Sequence, residues 1–275
     1  MNEKTKFTAG VVQGAPLLFD LDGCVDLTLK WLNEAADAGC DMVLFPETFI
    51  PGYPRGLTFD AKIGSRSAKS QDLWLRYWNS SFDLDSRAFD RIAEEIRKLK
   101  LVVGLGITER DNKGGTLYCS LLYFNDRGDL IGKHRKLKPT GLERFVWGEG
   151  SAEDLVTVST PFGRTGGLIC WENYMPLARM AMYEQGVEIY LAPTADARES
   201  WQASMQHIAR EGRCFVLSAN QFGNREGLLV AELDRNVLVR SKLEFDAVGH
   251  YSRRDIFRFE VCMDLHQGKD IEEEQ

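Results

Sequence analysis

No uninterrupted apolar run in this 275-residue chain approaches the ~20 residues that a helix needs to cross a bilayer. A membrane partner is therefore not expected. The first residues are polar and pass straight into a short apolar segment with no small-residue cleavage site, which argues against a secretory leader. Histidine is scarce: the four are His134, His207, His250 and His266, and no two stand at metal-ligand spacing. A zinc site is not expected. The six cysteines (Cys24, Cys40, Cys119, Cys170, Cys214 and Cys262) contain no C-x-x-C pair. They read as free thiols, mostly core residues, of a reducing, cytoplasmic compartment. Positive charge is in deficit, with 34 Lys and Arg against 41 Asp and Glu, a net charge of −7. That balance disfavours a nucleic-acid backbone as the main partner. Gly104 and Gly106 form only a G-x-G, and no G-x-G-x-x-G follows the first strand, so a dinucleotide site has little support.

Short apolar segments alternating with amphipathic ones are abundant. Strands are expected over residues 7–13, 41–45, 101–108, 166–170, 187–192, 214–219 and 228–233. Residues 116–124 and 129–134 read as a hairpin around Asn125–Asp126–Arg127–Gly128. Helices are expected over 22–38, 86–100 and 199–212, with another from about Pro176. With no internal repeat or low-complexity linker, this alternation predicts one α/β domain with helices covering sheet faces. Residues 53–82 lack clean periodicity and read as the longest irregular stretch, one able to border a pocket. The acidic end, residues 268–275, reads as a solvated tail.

Three segments place chemistry where an apolar strand ends. Glu47 follows Met42–Val43–Leu44–Phe45–Pro46. A partly desolvated carboxylate there has a raised pKa and accepts protons near neutrality; the plainer reading is a loop carboxylate bonded to backbone amides. Lys136 lies in the basic run Lys133–His134–Arg135–Lys136, which read alone is a solvated face. Strand alternation nevertheless puts His134 and Lys136 on one side, and an inward lysine needs a carboxylate or a developing anion. Glu143 follows within a short loop; its plainer reading is a surface ion pair with Arg144 or Lys138. Cys170 stands where Gly166–Gly167–Leu168–Ile169 bends toward a helix. Such a bend aims a thiol outward, although most buried cysteines at strand ends are inert packing.

Taken together, F-P-E-T-F at 45–49, H-R-K-L-K-P-T at 134–140, P-T-G-L-E-R at 139–144 and C-W-E-N at 170–173 resemble the nitrilase superfamily of carbon–nitrogen hydrolases. P-G-Y-P at 51–54, V-W-G at 146–148, P-L-A-R at 176–179 and V-G-H-Y at 248–251 extend the resemblance over residues 8–259. C-W-E, with P-T-x-x-E-R and V-W-G, is closer to true nitrilases than to the amidase branches. The resemblance implies an α-β-β-α sandwich of two stacked sheets with helices on the outer faces. It implies a catalytic set of Glu47 as base, Cys170 as nucleophile, Lys136 stabilising negative charge and Glu143 orienting Lys136. The Trp171 backbone N–H would be a second donor to the developing anion. The expected reaction turns an organic nitrile and water into a carboxylic acid and ammonia, through a thioimidate and a thioester. Neither metal nor organic cofactor is needed. Tyr53, Trp171, Pro193 and Thr194 are expected to line the substrate pocket, and Trp147 to be structural. Copies of the chain are expected to associate through residues 175–184 into a homodimer or a larger, spiral homo-oligomer.

Rival readings are an amidase or carbamoylase of the same superfamily, a cyanide-degrading relative, a Cys170–His134 dyad, and a catalytically silent scaffold. In one place the chain departs from the family. Residues 221–227 make a short connection where nitrilases carry several tens more residues, including a strand pair. Either the second sheet lacks two strands or a segment is omitted. The apolar edges that a simple loss would expose favour omission.

Overall fold

The computed structural model describes residues 5–64, 67–221 and 225–263. The chain opens with β1 (Lys6–Gln13), α1 (Leu21–Asp37) and β2 (Met42–Leu44). The Asp20 side chain accepts the Gly23 N–H at the start of α1, and Gly39, at φ 74°, turns the chain out of it. Next come α2 (Ala68–Ser80), α3 (Arg87–Leu99), β3 (Val102–Arg110), β4 (Leu117–Phe124) and β5 (Leu130–Arg135). The Ser86 hydroxyl caps α3. Then follow β6 (Thr157–Thr160), β7 (Gly163–Gly167), α4 (Pro176–Glu184), β8 (Ile189–Leu191), α5 (Glu199–Gly212), β9 (Phe215–Leu217), β10 (Gly227–Asp234) and α6 (Asn236–Lys242).

The strands form two sheets. One has six strands in the order β10-β1-β2-β3-β4-β5; the other has four in the order β6-β7-β8-β9. Three apolar layers hold them. Val25 and Leu32 of α1, with Ile92 and Ile96 of α3, pack on Val43 and Val103 at the outer face of the first sheet. Between the sheets, Leu44 and Leu121 meet Ile189 and Leu191. Met182 of α4, with Trp201 and Ile208 of α5, covers the outer face of the second sheet around Tyr190. This is the α-β-β-α sandwich that the motifs imply, built by sheet faces with no polar covering.

Several local expectations need correction. The stretch 53–82 is not irregular throughout: α2 occupies 68–80, capped by the Ser67 hydroxyl. It packs on the rest of the protein through Leu73, Trp74, Tyr77 and Trp78, a pattern too broad to read as one apolar stripe. The hairpin strand β6 (T-V-S-T) carries too little apolar sequence to be seen, and α6, at seven residues, is too short to show a helical period. The strand before Cys170 ends three residues earlier than expected, at Gly167. The connection singled out at 221–227 has residues 222–224 outside the described part, as does the acidic tail 268–275. No described helix is long and apolar enough to cross a membrane.

Candidate active site

Three chain segments converge from two sheets. Glu47 lies three residues beyond β2, and Lys136 directly follows β5, so both belong to the six-stranded sheet. Gly106 makes the first placement possible. A Cβ there would sit 2.0 Å from the Pro46 carbonyl oxygen and 2.9 Å from Glu47 Cα. The missing side chain lets the Pro46–Glu47 backbone lie directly on β3. The G-x-G is thus a packing device and not a phosphate loop. Cys170 comes from the four-stranded sheet, at the head of a 3-10 turn, Cys170–Tyr174.

Lys136 is fully buried, and its Nζ donates to Glu47 Oε1 at 2.7 Å and to Glu143 Oε2 at 2.8 Å. Glu143 sits in the 3-10 turn Gly141–Phe145, where its Oε2 also takes the Thr140 N–H at 2.7 Å. Tyr53 donates its hydroxyl to Glu143 Oε1 at 2.7 Å. The Cys119 thiol lies 3.6 Å from Glu47 Oε1, as a donor. Glu47 Oε2 has no hydrogen-bond partner among the described residues. Burial raises the Glu47 pKa more than the Lys136 ammonium lowers it, and the nearby Cys170 thiol also bears on its charge. Burial opposes the Lys136 charge in turn, but Glu47 and its neighbours outweigh this and hold the amine well above the usual lysine range. The result is one permanent ammonium and one carboxylate with an unused oxygen and a raised proton affinity.

Cys170 adopts φ 52°, the left-handed region where non-glycine residues are uncommon. Its N–H is held by the Pro193 carbonyl at 2.8 Å, and the Thr194 hydroxyl donates to Sγ at 3.1 Å. Burial, reinforced by Glu47, pushes the thiol up to about 12. At neutral pH the sulfur therefore keeps its proton until a base removes it.

A cavity of about 630 Å³ opens in front of the sulfur, lined among others by Tyr53, Phe59, Glu143, Trp147, Cys170 and Trp171. Tyr53 and Trp171, expected at the substrate pocket, both line it. Pro193 and Thr194 do not line this cavity; they support Cys170 from behind, one through its carbonyl and the other through its hydroxyl. Trp147 does line it, packed against Tyr53 with ring centroids 5.6 Å apart, and is not simply structural. His134 does not pair with Cys170. Its Nδ1 meets the Asp154 carbonyl at 2.8 Å and its Nε2 meets Glu172 Oε2 at 2.9 Å, so both ring nitrogens are already engaged. The dyad reading loses its base.

Sequence reasoning misses the mouth of the cavity. Asp196 accepts from Trp171 Nε1 at 3.0 Å and pairs with Arg198, whose guanidinium stands 5.0 Å from the Trp171 ring centroid. The Arg198 hydrogen bonds hold Asp196 down to about 2. D-A-R just after a strand end was the available signal. Gln221 is missed as well; its side chain donates to the Glu47 carbonyl and takes the Tyr53 N–H. Among the described residues, no group of three or more His, Cys, Asp or Glu side chains could hold a metal ion.

This geometry suits a thiol nucleophile, and comparison with known proteins shows the family. The carbon–nitrogen hydrolase family matches residues 8–250, and the chain belongs to that family. Among curated proteins, the aliphatic nitrilase of Sinorhizobium fredii (strain HH103) is 42% identical, the match covering 94% of this chain and 96% of that one. The bifunctional nitrilase/nitrile hydratase NIT4B of Nicotiana tabacum is also 42% identical, over 90% of this chain and 84% of its own. Nitrilase 1 of Arabidopsis thaliana is 38% identical over 91% and 85%. The alignment with the Sinorhizobium protein runs over 298 positions, more than this chain has residues, so that relative carries residues with no counterpart here. Among solved structures, Saccharomyces cerevisiae Nit3 superposes with a TM-score of 0.74 at 19% identity, covering 94% of this chain and 99% of that one. The Caenorhabditis elegans NitFhit protein gives 0.75 at 18%, covering 94% and 68%. Both share the fold.

Proposed function

We propose that this chain is a nitrilase: it hydrolyses an organic nitrile to a carboxylic acid and ammonia, with Cys170 as nucleophile. The observation that carries this reading is the buried Lys136, gripped by Glu47 and by Glu143, which lines with Cys170 the cavity in front of the sulfur. Glu47, through its unused Oε2, takes the thiol proton as sulfur attacks the nitrile carbon. The nitrile nitrogen gains electron density and is protonated, leaving a thioimidate on Cys170. Lys136, held as an ammonium, and the Trp171 N–H at the head of the 3-10 turn stabilise that nitrogen as its charge develops. Water adds to the carbon, ammonia leaves, and a thioester remains. A second water, activated by Glu47, releases the acid and restores the thiol. Glu143, fixed by Tyr53 and Thr140, keeps Lys136 aimed at the cavity.

The whole chain acts as one catalytic domain, and residues 175–184 are its self-association face, on which Leu177 is 73% exposed. The deciding experiment measures ammonia released from a panel of nitriles and from the matching amides, with mass spectrometry of the Cys170 adduct. Nitriles turning over with a thioimidate or thioester mass on Cys170 are the expected result. Turnover confined to amides would transfer the chain to the amidase reading. Undiminished turnover by Cys170→Ser would end the thiol mechanism.

A further inference from the structure

The proposed catalytic groups stand on different sheets, and sliding one sheet over the other by a fraction of an ångström would separate them. One buried carboxylate, unused in the chemistry above, spans the gap. Glu172 Oε1 accepts the N–H of Leu137, the residue after Lys136, at 2.5 Å. Its Oε2 accepts the N–H of Ile169, the residue before Cys170, at 2.7 Å. His134, two residues before Lys136, meets the same Oε2 at 2.9 Å. Both side chains are fully buried.

Counting protons defines the pair. His134 Nδ1 faces a carbonyl, which only accepts, so that nitrogen carries a hydrogen. The two backbone amides already donate to Glu172. One further proton lies between Nε2 and Oε2, and the pair is net neutral wherever that proton sits. Burial alone would depress the imidazolium, but the Glu172 carboxylate overcomes this and raises the His134 pKa. The Lys136–Leu137 backbone is thus tied to the Ile169–Cys170 backbone through a single side chain, which the imidazole holds in place.

We propose that Glu172 and His134 are positioning residues which fix the Cys170 sulfur against Glu47 and Lys136 by clamping the two sheets at the strand ends that carry them. This rests on the nitrilase reading of the site, but its test does not depend on the substrate. The variants are Glu172→Gln, which turns one acceptor into a donor facing a backbone N–H, and His134→Gln, which keeps an amide able to bond both neighbours but cannot carry charge. Each is titrated with iodoacetamide and mass spectrometry to count reactive Cys170, then assayed for kcat and KM per titrated thiol.

Positioning predicts that kcat per reactive site falls about a hundredfold in Glu172→Gln, the cost expected of displacing reacting groups by about an ångström. KM should change less than threefold. The alkylation rate of Cys170 should fall in parallel, because it too needs Glu47 at the sulfur. His134→Gln should lose less, about tenfold, with its melting temperature within a few degrees of the parent. A purely structural role would lower the number of reactive sites while leaving kcat per site and the alkylation rate within threefold of the parent. That result, or failure of both variants to fold, overturns the proposal. A parent enzyme inactive on every nitrile, yet showing the parallel drop in alkylation, would remove the nitrilase reading and leave the clamp standing.

Discussion

Glu47, Lys136 and Glu143 leave the six-stranded sheet and its following loop already bonded to one another, whereas Cys170 leaves the four-stranded sheet as a neutral thiol, supported on its own side by the Thr194 hydroxyl. The first sheet carries its charges assembled before any substrate arrives: an ammonium between two carboxylates at 2.7 and 2.8 Å. The second offers Thr194 at 3.1 Å from Sγ and a backbone turn at φ 52°. Burial drives both halves, but with opposite results. In the first it is offset by pairing, and the charges persist. In the second, Lys136 and the Thr194 hydroxyl offset it too little, and the proton stays on sulfur. The difference teaches where activation must come from: the nucleophile's own sheet does not ionise it, so the facing sheet must.

The largest expected effect follows directly. Glu47→Gln should lower kcat/KM for any turned-over nitrile by about a thousandfold, within the range of general-base removal. Thr194→Val, which deletes the contact on the sulfur's own side, should cost about tenfold, the worth of one hydrogen bond. Steady-state kinetics on a single nitrile compare the two. Equal losses would mean that the second sheet shares the activation, and the contrast between the sheets would fail.

Next in size is the acid limb of the pH profile. Glu47 must lose its proton before it can take one, and burial raises its pKa above the ordinary 4.5. Activity should therefore fall as pH drops through that raised value, at a pH above 4.5. Linkage has the opposite sign for stability. A carboxyl with a raised pKa in the folded state binds its proton more tightly there, so acidification through this window should not destabilise the fold through Glu47. Parallel kcat/KM and urea-midpoint measurements across pH 4 to 8 separate the two. An acid limb at or below 4.5 would show that Glu47 keeps ordinary acidity, and the contrast with Cys170 would lose its base.

How much of this was legible beforehand differs between the halves. Glu47, Lys136, Glu143 and Cys170 were readable because each sits in a motif at a strand end, where period-2 burial stops and chemistry starts. Tyr53 was readable from its Pro/Gly turn. Pro193 and Thr194 were placed at the right strand end but assigned the wrong neighbour. Strand ends in a sandwich face both the cavity and the adjoining loop, and sequence does not say which. Gln221 was invisible as a site residue because its partners lie far along the chain: Glu47 is 174 residues from Gln221. The layer architecture was legible from alternation and motif. α2 and β6 were not, since a capping serine and scattered aromatics in the one and threonines in the other set their positions where a clean apolar period was lacking; α6, at seven residues, is too short to show a period.

Gln221→Ala sharpens the contrast at a smaller scale. This side chain, beyond β9, is a further link from the four-stranded sheet to the first, donating to the Glu47 carbonyl and accepting from Tyr53 N–H at 3.2 Å. Its removal leaves a buried carbonyl and an amide short of partners, worth about 1–3 kcal/mol. The expected outcome is a lower denaturation midpoint together with a severalfold drop in kcat, since Glu47 and Tyr53 both loosen. A stability loss with kcat unchanged would show that Glu47 is fixed by its own sheet alone.

The smallest effect concerns the sheets themselves. β8 is flanked by β7 and β9, while β9 has only β8 beside it among the described strands. The Phe215 N–H reaches back to the Glu188 carbonyl, and the Leu217 carbonyl takes the Ala192 N–H. By the alternation of a parallel ladder, the Val216 N–H between them points away from β8. Helix α5 covers the face of β9, and no described strand pairs with its far edge. Hydrogen exchange of the native protein should therefore find the Val216 amide exchanging far faster than that of Tyr190 in β8, although both lie in the same short sheet. Equal protection would mean that the edge is covered in solution, by another strand of this protein or by a second copy. Repeating the exchange at tenfold lower protein concentration tells these apart, because only cover from a second copy is lost on dilution.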